Sequence, residues 1–496
     1  MRLCGRSNRR RAVQESVRNN MIMSTMQNTN SMLQMIKSMQ QEIKELTKKC
    51  DEIQNQQNCK FDDIEERQRY HEILIKNQNW EYSADRPSDE YWESIDEDED
   101  DTAEEFLEQI EKQTEDLRKG SISDGIISIS TSTELPYNNE FLPHWKEFAT
   151  ALEQYHYHIK CSPSSEDIKA IKFRLNNVTL PYEVIDILRR ALPSTHFPRL
   201  VLKNNNLSTS GIYFALNYLK RHKCIELCLS GNALSMRHIK FLCCIVSSDD
   251  YPTPATINKG LCLGLTGCKG ADIDGHEMLK MITTAGKNKL QILNMRGNSI
   301  STGGNMFLSI FLAENPPLKR LHLNGNELDD NDAVAIASAL LHNKNLRMLN
   351  IKNNNFTSVG WEALGKAVFD NTSLNSAAGS NHTCIIDFPP NCIEAVKEIN
   401  GKTACPRFFG PKHVRQKKVY SILSARNRNS SNVEYLEDMP VELLPRMMRF
   451  IQKYADYHVR SKDISRGCDD VHPLSIMFEI LQRWDESLAA FEALSS

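Results

Sequence analysis

Residues 318–356 read LKRLHLNGNELDDNDAVAIASALLHNKNLRMLNIKNNNF, and one frame occurs in them twice. Leu318, Leu321, Leu323, Asn326 and Leu328 stand at offsets 0, 3, 5, 8 and 10, and Leu346, Leu349, Ile351, Asn354 and Phe356 repeat those offsets 28 residues later. The alternating apolar residues describe a short strand whose inward side chains enter a core. An asparagine amide at the eighth offset both donates and accepts, so it can satisfy the backbone of the turn leaving the strand. After that turn the apolar period becomes helical, with Ala333, Ile336, Ala337 and Leu340 on one stripe and Trp361, Leu364, Gly365 and Val368 on the next. Each copy is a strand, a turn and a helix. One such unit cannot bury its apolar side alone, so consecutive units must stack.

The frame extends in both directions. Leu290, Leu293, Met295, Asn298 and Ile300 fill it, as do Phe197, Leu200, Leu202, Asn205 and Leu207, and Cys224, Leu227, Leu229, Asn232 and Leu234. One copy is irregular: Leu263 and Leu265 are followed by Cys268 in the asparagine position, after an insertion around Ser247–Lys259. A weaker copy opens the array with Ile168, Ile171, Phe173, Asn176 and Val178, and an eroded one starts at Leu374 and ends in His382 and Cys384. Stacking these units predicts a buried ladder of Asn176, Asn205, Asn232, Cys268, Asn298, Asn326 and Asn354, with the cysteine as a small, weakly hydrogen-bonding substitute.

This frame resembles the leucine-rich repeat, in the ribonuclease-inhibitor-like subtype with a full helix, over about residues 165–385. The resemblance implies an α/β solenoid: a horseshoe with a parallel sheet inside, helices outside and helical caps. The flanking stretches LPHWKEFATAL, NNNFTSVGWEAL, SLNSAAGSNHTC, KKVYSILSARNRN and VELLPRMMRFIQKYA look like the large leucine-rich-repeat family of diatoms and related algae, from about Leu135 to Trp484. That family implies a fold and no established activity.

The N-terminal arm must be read by itself. Residues 1–31 form a basic tail expected to be disordered. Within 32–80, Met32, Ile36, Met39, Ile43, Leu46, Cys50 and Ile53 alternate steps of four and three. Both a short coiled coil giving a weak homodimer through 32–53 and an amphipathic helix on another surface fit that spacing. Asp89–Glu105 holds eleven acidic side chains and no basic one, so residues 81–135 are expected to be an extended, solvated acidic and Ser/Thr-rich linker in which Ser94 and Thr102 are open to phosphorylation. Residues 136–165, with Phe141, Trp145, Phe148, Leu152 and Tyr155 on one helical face, form an N-terminal cap. The array of about eight repeats spans 166–398, and 399–496 is a basic segment followed by a helical cap. Val419, Ile422 and Leu423 could anchor the basic segment to the last repeat, leaving its cations either solvated or free to bind phosphate or an acidic protein.

The chain has 496 residues, with 60 basic against 64 acidic, a balance that argues against a dedicated nucleic-acid binder or a membrane-surface protein. No apolar run is long enough to span a bilayer, and none follows the arginine-rich start as a secretory leader would. Fourteen cysteines without a CxxC pair suit reduced thiols and a cytoplasmic setting, with a nuclear one left open by the early arginines. No phosphate-cradling loop, hydrolase elbow or zincin helix is present. His156, His158 and Cys161, and His382, Cys384 and Cys392, offer three ligands each where zinc needs four. Cys243 and Cys244 fall on a repeat helix, one of them expected to be buried. No catalytic residue, metal or cofactor is expected.

What remains is the outward face of the strands. It carries Lys172, Arg174, Arg199, Lys203, Arg296, Arg320, His322 and Lys352, with Glu226 the one acid read there. Such a face would focus positive potential. The expectation is a non-enzymatic interaction scaffold for an acidic polypeptide, with Asp89–Glu105 as an in-cis occupant of the groove. The alternative is a regulator of a GTPase or another enzyme, by analogy of fold alone.

Overall fold

A computed structural model describes residues 32–49, 65–122, 125–161, 171–192, 197–254, 260–268 and 270–389, with further isolated positions, several of them between 410 and 422. The chain divides into two compact units at Trp80. In the first, residues 32–49 and 65–78 are helical.

The second is built, among the described residues, on one sheet of nine strands lying in chain order, each parallel to its neighbours. The strands are β1 (Ile126–Leu135), β2 (Lys172–Val178), β3 (Arg199–Lys203), β4 (Glu226–Cys228), β5 (Leu261–Gly264), β6 (Leu290–Asn294), β7 (Arg320–His322), β8 (Met348–Asn350) and β9 (Ile385–Ile386). Helices α1 (Asp89–Ser94) and α2 (Glu97–Lys119) precede the sheet. Along the array come α3 (Leu142–Cys161), α4 (Tyr182–Ala191), α5 (Thr209–His222), α6 (Met236–Ser247), α7 (Gly275–Ala285), α8 (Phe307–Ala313), α9 (Asp330–His342), α10 (Ser358–Val368) and α11 (Leu374–Gly379). Inward strand residues such as Leu200, Leu227, Leu263, Leu293, Leu321 and Leu349 are buried in one core with the helical stripes.

The asparagine amides tie each turn to the next. Asn326 Oδ1 accepts from the backbone N–H of Asn298 (2.8 Å) and Ile300 (3.1 Å) in the preceding repeat, while its Nδ2 donates to Met295 O and Leu323 O. Asn232 makes the same four bonds to Asn205 N, Leu207 N, Leu202 O and Leu229 O. Asn298 accepts from Cys268 N and donates to Leu265 O and Arg296 O, and Asn354 accepts from Leu328 N and donates to Leu323 O and Ile351 O. Cys268 supplies only the donor half, its thiol reaching Leu229 O at 3.0 Å.

The two end copies sit in a different register from the one the sequence suggested. β2 aligns Phe173 with Leu200 and Leu175 with Leu202, so Val178, not Asn176, occupies the ladder position. Asn176 points out beside Lys203 and donates to Ser130 Oγ, and Asn205 donates to Val178 O. At the far end, Leu374 opens helix α11 instead of a strand, and β9 is Ile385–Ile386. Ile168 lies outside the described residues.

Residues 81–122 and 125–135 are folded, contrary to the expected linker. The acids of Glu97–Asp100 occupy the first turn of α2, where they complement the helix dipole, and Asp96 caps it by accepting from Glu99 N. Ala103, Phe106, Leu107, Ile110 and Leu117 bury its inner stripe, and Gly120 ends it in the left-handed region. Helix α2 packs against β1 and α3. Glu105, Gln109 and Gln113 accept from the backbone N–H of Ser132, Ser130 and Ser128, and Gln109 Nε2 returns a bond to Ser130 O. Four helical residues rise about 6 Å and two strand residues about 6.6 Å, so side chains spaced by one turn match alternate backbone groups. The acidic run therefore meets the repeats at the first edge of the sheet, not along its open face. Thr102 is buried against Asp98 O and Thr133 Oγ1, which closes it to phosphorylation.

The far end has its own device. Asn343 Nδ2 donates to Leu312 O, and Asn381 Nδ2 donates to Leu340 O and Asn343 O. The next equivalent carbonyl, 28 residues on, is Val368 O. The amine of Lys418 takes it, and also donates to Asn381 O at 2.7 Å, so lysine stands in for the next asparagine. Lys418 is 1% exposed, and Val414 and Ile422 are buried with it. Burial draws its pKa from 10.5 down to about 7, against an opposing pull from Cys384. Leu423 and the helical cap expected after the basic segment lie outside the described residues, apart from Arg449.

Three outcomes follow for stability. Gln109→Leu leaves the Ser130 N–H and C=O without partners and should cost about 1–3 kcal/mol in urea unfolding, whereas Lys112→Ala on the exposed side should cost almost nothing. Asn326→Ala should be worse than Cys268→Ala, because it orphans two buried N–H groups at about 1–3 kcal/mol each. For Lys418 the native state holds fewer protons than the unfolded chain between pH 7 and 10.5. Stability should therefore climb across that window and level off below pH 7. Lys418→Met should remove that component of the slope in urea melts taken from pH 6.5 to 9.5.

Candidate functional site

The strands present three outward rows. The first runs Ile126, Lys172, Arg199, Glu226, Cys262, Ile292, Arg320, Met348 and Ile385 across neighbouring strands. The second runs Arg174, Val201, Cys228, Gly264, Asn294, His322 and Asn350. Asn176 and Lys203 open the third, and Arg296 and Lys352 lie further along in the turns that leave β6 and β8. These rows bring all eight basic positions to one face.

Their charges are not equally available. Lys172 Nζ is 2.7 Å from Glu226 Oε1, and Arg199 Nε is 3.9 Å from Glu226 Oε2, so the acid in the first half of the sheet is shared by two cations. Lys352 Nζ is 2.5 Å from Asp387 Oδ1. Asp387 follows β9, and the misplaced register of the last copy hid this second acid from the sequence reading. His322 contributes no charge near neutrality: burial and the adjacent Arg320 hold its pKa down, and its Nδ1 pairs with Asn350 Nδ2 at 2.8 Å. Among the described residues, Arg174, Lys203, Arg296 and Arg320 have no ion-pair partner.

Between those cations the face is apolar or small. Ile292 and Met348 flank Arg320 in its row, all three half-buried, and Cys262, Cys228 and Gly264 make the middle smooth. A Cβ on Gly264 would come within 2.7 Å of Cys228 Sγ, so glycine there lets the neighbouring thiol lie flat. Ile292 and Met348 could have been found in the sequence, since they share the frame offset of Arg320. Burial, reinforced by Glu226, pushes the Cys262 thiol up to about 11, so it stays protonated at neutral pH.

The other candidate groups are engaged or lie elsewhere. His158 is buried with Nε2 on Arg118 O, His382 has Nε2 on Ala378 O, and the side chains of Cys161 and Cys392 are outside the described residues. No cluster of three or more metal-ligating side chains occurs among the described residues. Cys243 is half-buried against the core and Cys244 is exposed, so the one expected to be buried is only partly so. Both line a groove of about 820 Å³ between α6 and α7, rimmed by Lys240, Lys280, Asp274 and Glu277. The described cysteines 224, 228, 243, 244, 262, 268 and 384 are free thiols. No helix among the described residues is long and apolar enough to cross a membrane.

A parallel sheet laid down one strand per repeat, about 28 residues in most of them, with asparagine amides pinning most of the turns, defines a repeat protein. Residues 314–337 and 342–365 match a family model described as Leucine Rich repeat, and these stretches, covering β7, β8 and most of α9 and α10, are leucine-rich repeats. Such repeats generally mediate protein–protein interaction. No curated protein matches the sequence.

Proposed function

We propose that the open face of the sheet binds an acidic segment of a partner protein, and that Arg296 and Arg320 are its principal anchors. The observation that carries this reading is the pair of guanidinium groups on neighbouring repeats, without carboxylate partners among the described residues and beside the apolar Ile292 and Met348. Such a surface suits a strand or loop that alternates carboxylates with apolar side chains, since arginine offers forked donors to the former and the sheet offers contact to the latter. Lys352, held by Asp387, contributes less, and Lys172 and Arg199, tied to Glu226, contribute least. The 28-residue spacing and the helix in each repeat support the ribonuclease-inhibitor-like subtype, and the flanking stretches support kinship with the diatom and algal proteins. The free thiols support a reducing, cytoplasmic setting.

Binding of a fluorescent peptide of alternating Glu and Leu to the full chain tests the reading. Arg296→Glu with Arg320→Glu should weaken it at least tenfold, about 1.4 kcal/mol. Lys352→Glu should weaken it less, and added salt should weaken the wild type more than the double variant. Equal affinity for wild type and double variant would remove the open face from the function. Regulation of a GTPase rests on fold analogy, and hydrolysis assays with candidate GTPases would distinguish it from simple capture.

A further inference from the structure

The helix over residues 32–49 leaves its apolar residues uncovered. Met32, Leu33, Met35, Ile36, Met39, Ile43 and Leu46 are each between 49 and 69% exposed. An isolated helix of this length is marginal in water, because packing of the apolar face supplies most helical stability in proteins. The identities along the stripe specify what covers it. With Ile36 and Ile43 in the a positions of the heptad, Met32, Met39 and Leu46 fall in the d positions. β-Branched side chains at a with leucine at d, as at Ile36, Ile43 and Leu46, favour two parallel strands over three or four.

The flanks agree with that pairing. In a parallel pair each g position faces the e position of the next heptad on the other strand. Here Met35 would face Gln40, and Glu42 would face Thr47, so no like charges oppose each other. Leu33 and Met35 widen the stripe in the first heptad.

From this we infer that residues 32–49 form a parallel, in-register, two-stranded coiled coil with the same segment of a second copy of this chain. The pair is short, so it forms at micromolar rather than nanomolar concentrations. It joins two repeat sheets through their N-terminal arms. The inference does not depend on what the sheet binds.

Sedimentation velocity on the full chain from about 1 to 100 µM tests it. The mass should rise from 56.7 kDa towards twice that value across the range. Ile36→Glu with Ile43→Glu should hold it at the lower value, with unchanged near-ultraviolet circular dichroism showing that the repeats still fold. A wild type that stays monomeric throughout, a trimer, or a variant that still pairs would each overturn the proposal. Strand direction has its own readout, because the next a position is Cys50. A short bismaleimide should link two copies in a Cys50-dependent manner, lost in Cys50→Ser. An antiparallel pair, which separates the two Cys50 residues, would give no such link and would overturn the parallel arrangement.

Discussion

The fold rests on one constraint: a polypeptide that reverses direction inside a stack must find partners for the backbone groups of every turn, and water does not reach them. Asn326 shows the solution, with two N–H groups of the preceding turn on its Oδ1 and two carbonyls on its Nδ2. An amide carries two N–H donors and a separate acceptor oxygen without charge, whereas a serine hydroxyl has a single donor and aspartate is charged. Because each amide bonds both its own repeat and its neighbour, the turn and the stacking are one interaction. The leucines supply the driving force, and the amides fix which strand lies beside which.

A stack has two ends, and neither can use that solution. At the first, β1 would present an unpaired edge, and a helix lays Glu105, Gln109 and Gln113 along it as substitute strand partners. At the last, a lysine takes the carbonyls that another asparagine would have used. Both devices are side chains imitating the missing neighbour. They explain why the acidic stretch, which looks like a soluble tether, is instead committed to structure, and why a lysine in a basic segment is buried.

The sequence shows the strands and the inward ladder of the middle repeats plainly, because their period, offsets and turn residues agree. It misleads at the ends. Ile171, Phe173 and Leu175 alternate, so a shift of two residues preserves every apolar position, and only the turn distinguishes the registers. The turn signal was nonetheless present. Asn177, Asn204, Gly231, Gly267, Gly297, Gly325 and Asn353 all take positive φ just before the ladder position. Asparagine and glycine are the residues that tolerate that region. In the acidic run, eleven carboxylates drew the eye from Ala103, Phe106, Ile110 and Leu117 at helical spacing. On the open face the cations were legible, but their pairing with Glu226 and Asp387 depended on lateral register, which a single strand does not contain.

One irregularity has a mechanical meaning. Where the fifth strand's turn carries Cys268, the joint to the preceding repeat keeps the thiol's contact with Leu229 O but lacks a side-chain acceptor, and Leu234 N turns to Cys268 O instead. The same joint follows the inserted loop before β5. In a one-dimensional stack, stability is roughly a sum of repeat and nearest-neighbour contributions, so a change at one joint acts locally. The joint ahead of the fifth strand lacks the side-chain acceptor that Asn232 and Asn326 supply at theirs, and a backbone bond takes its place.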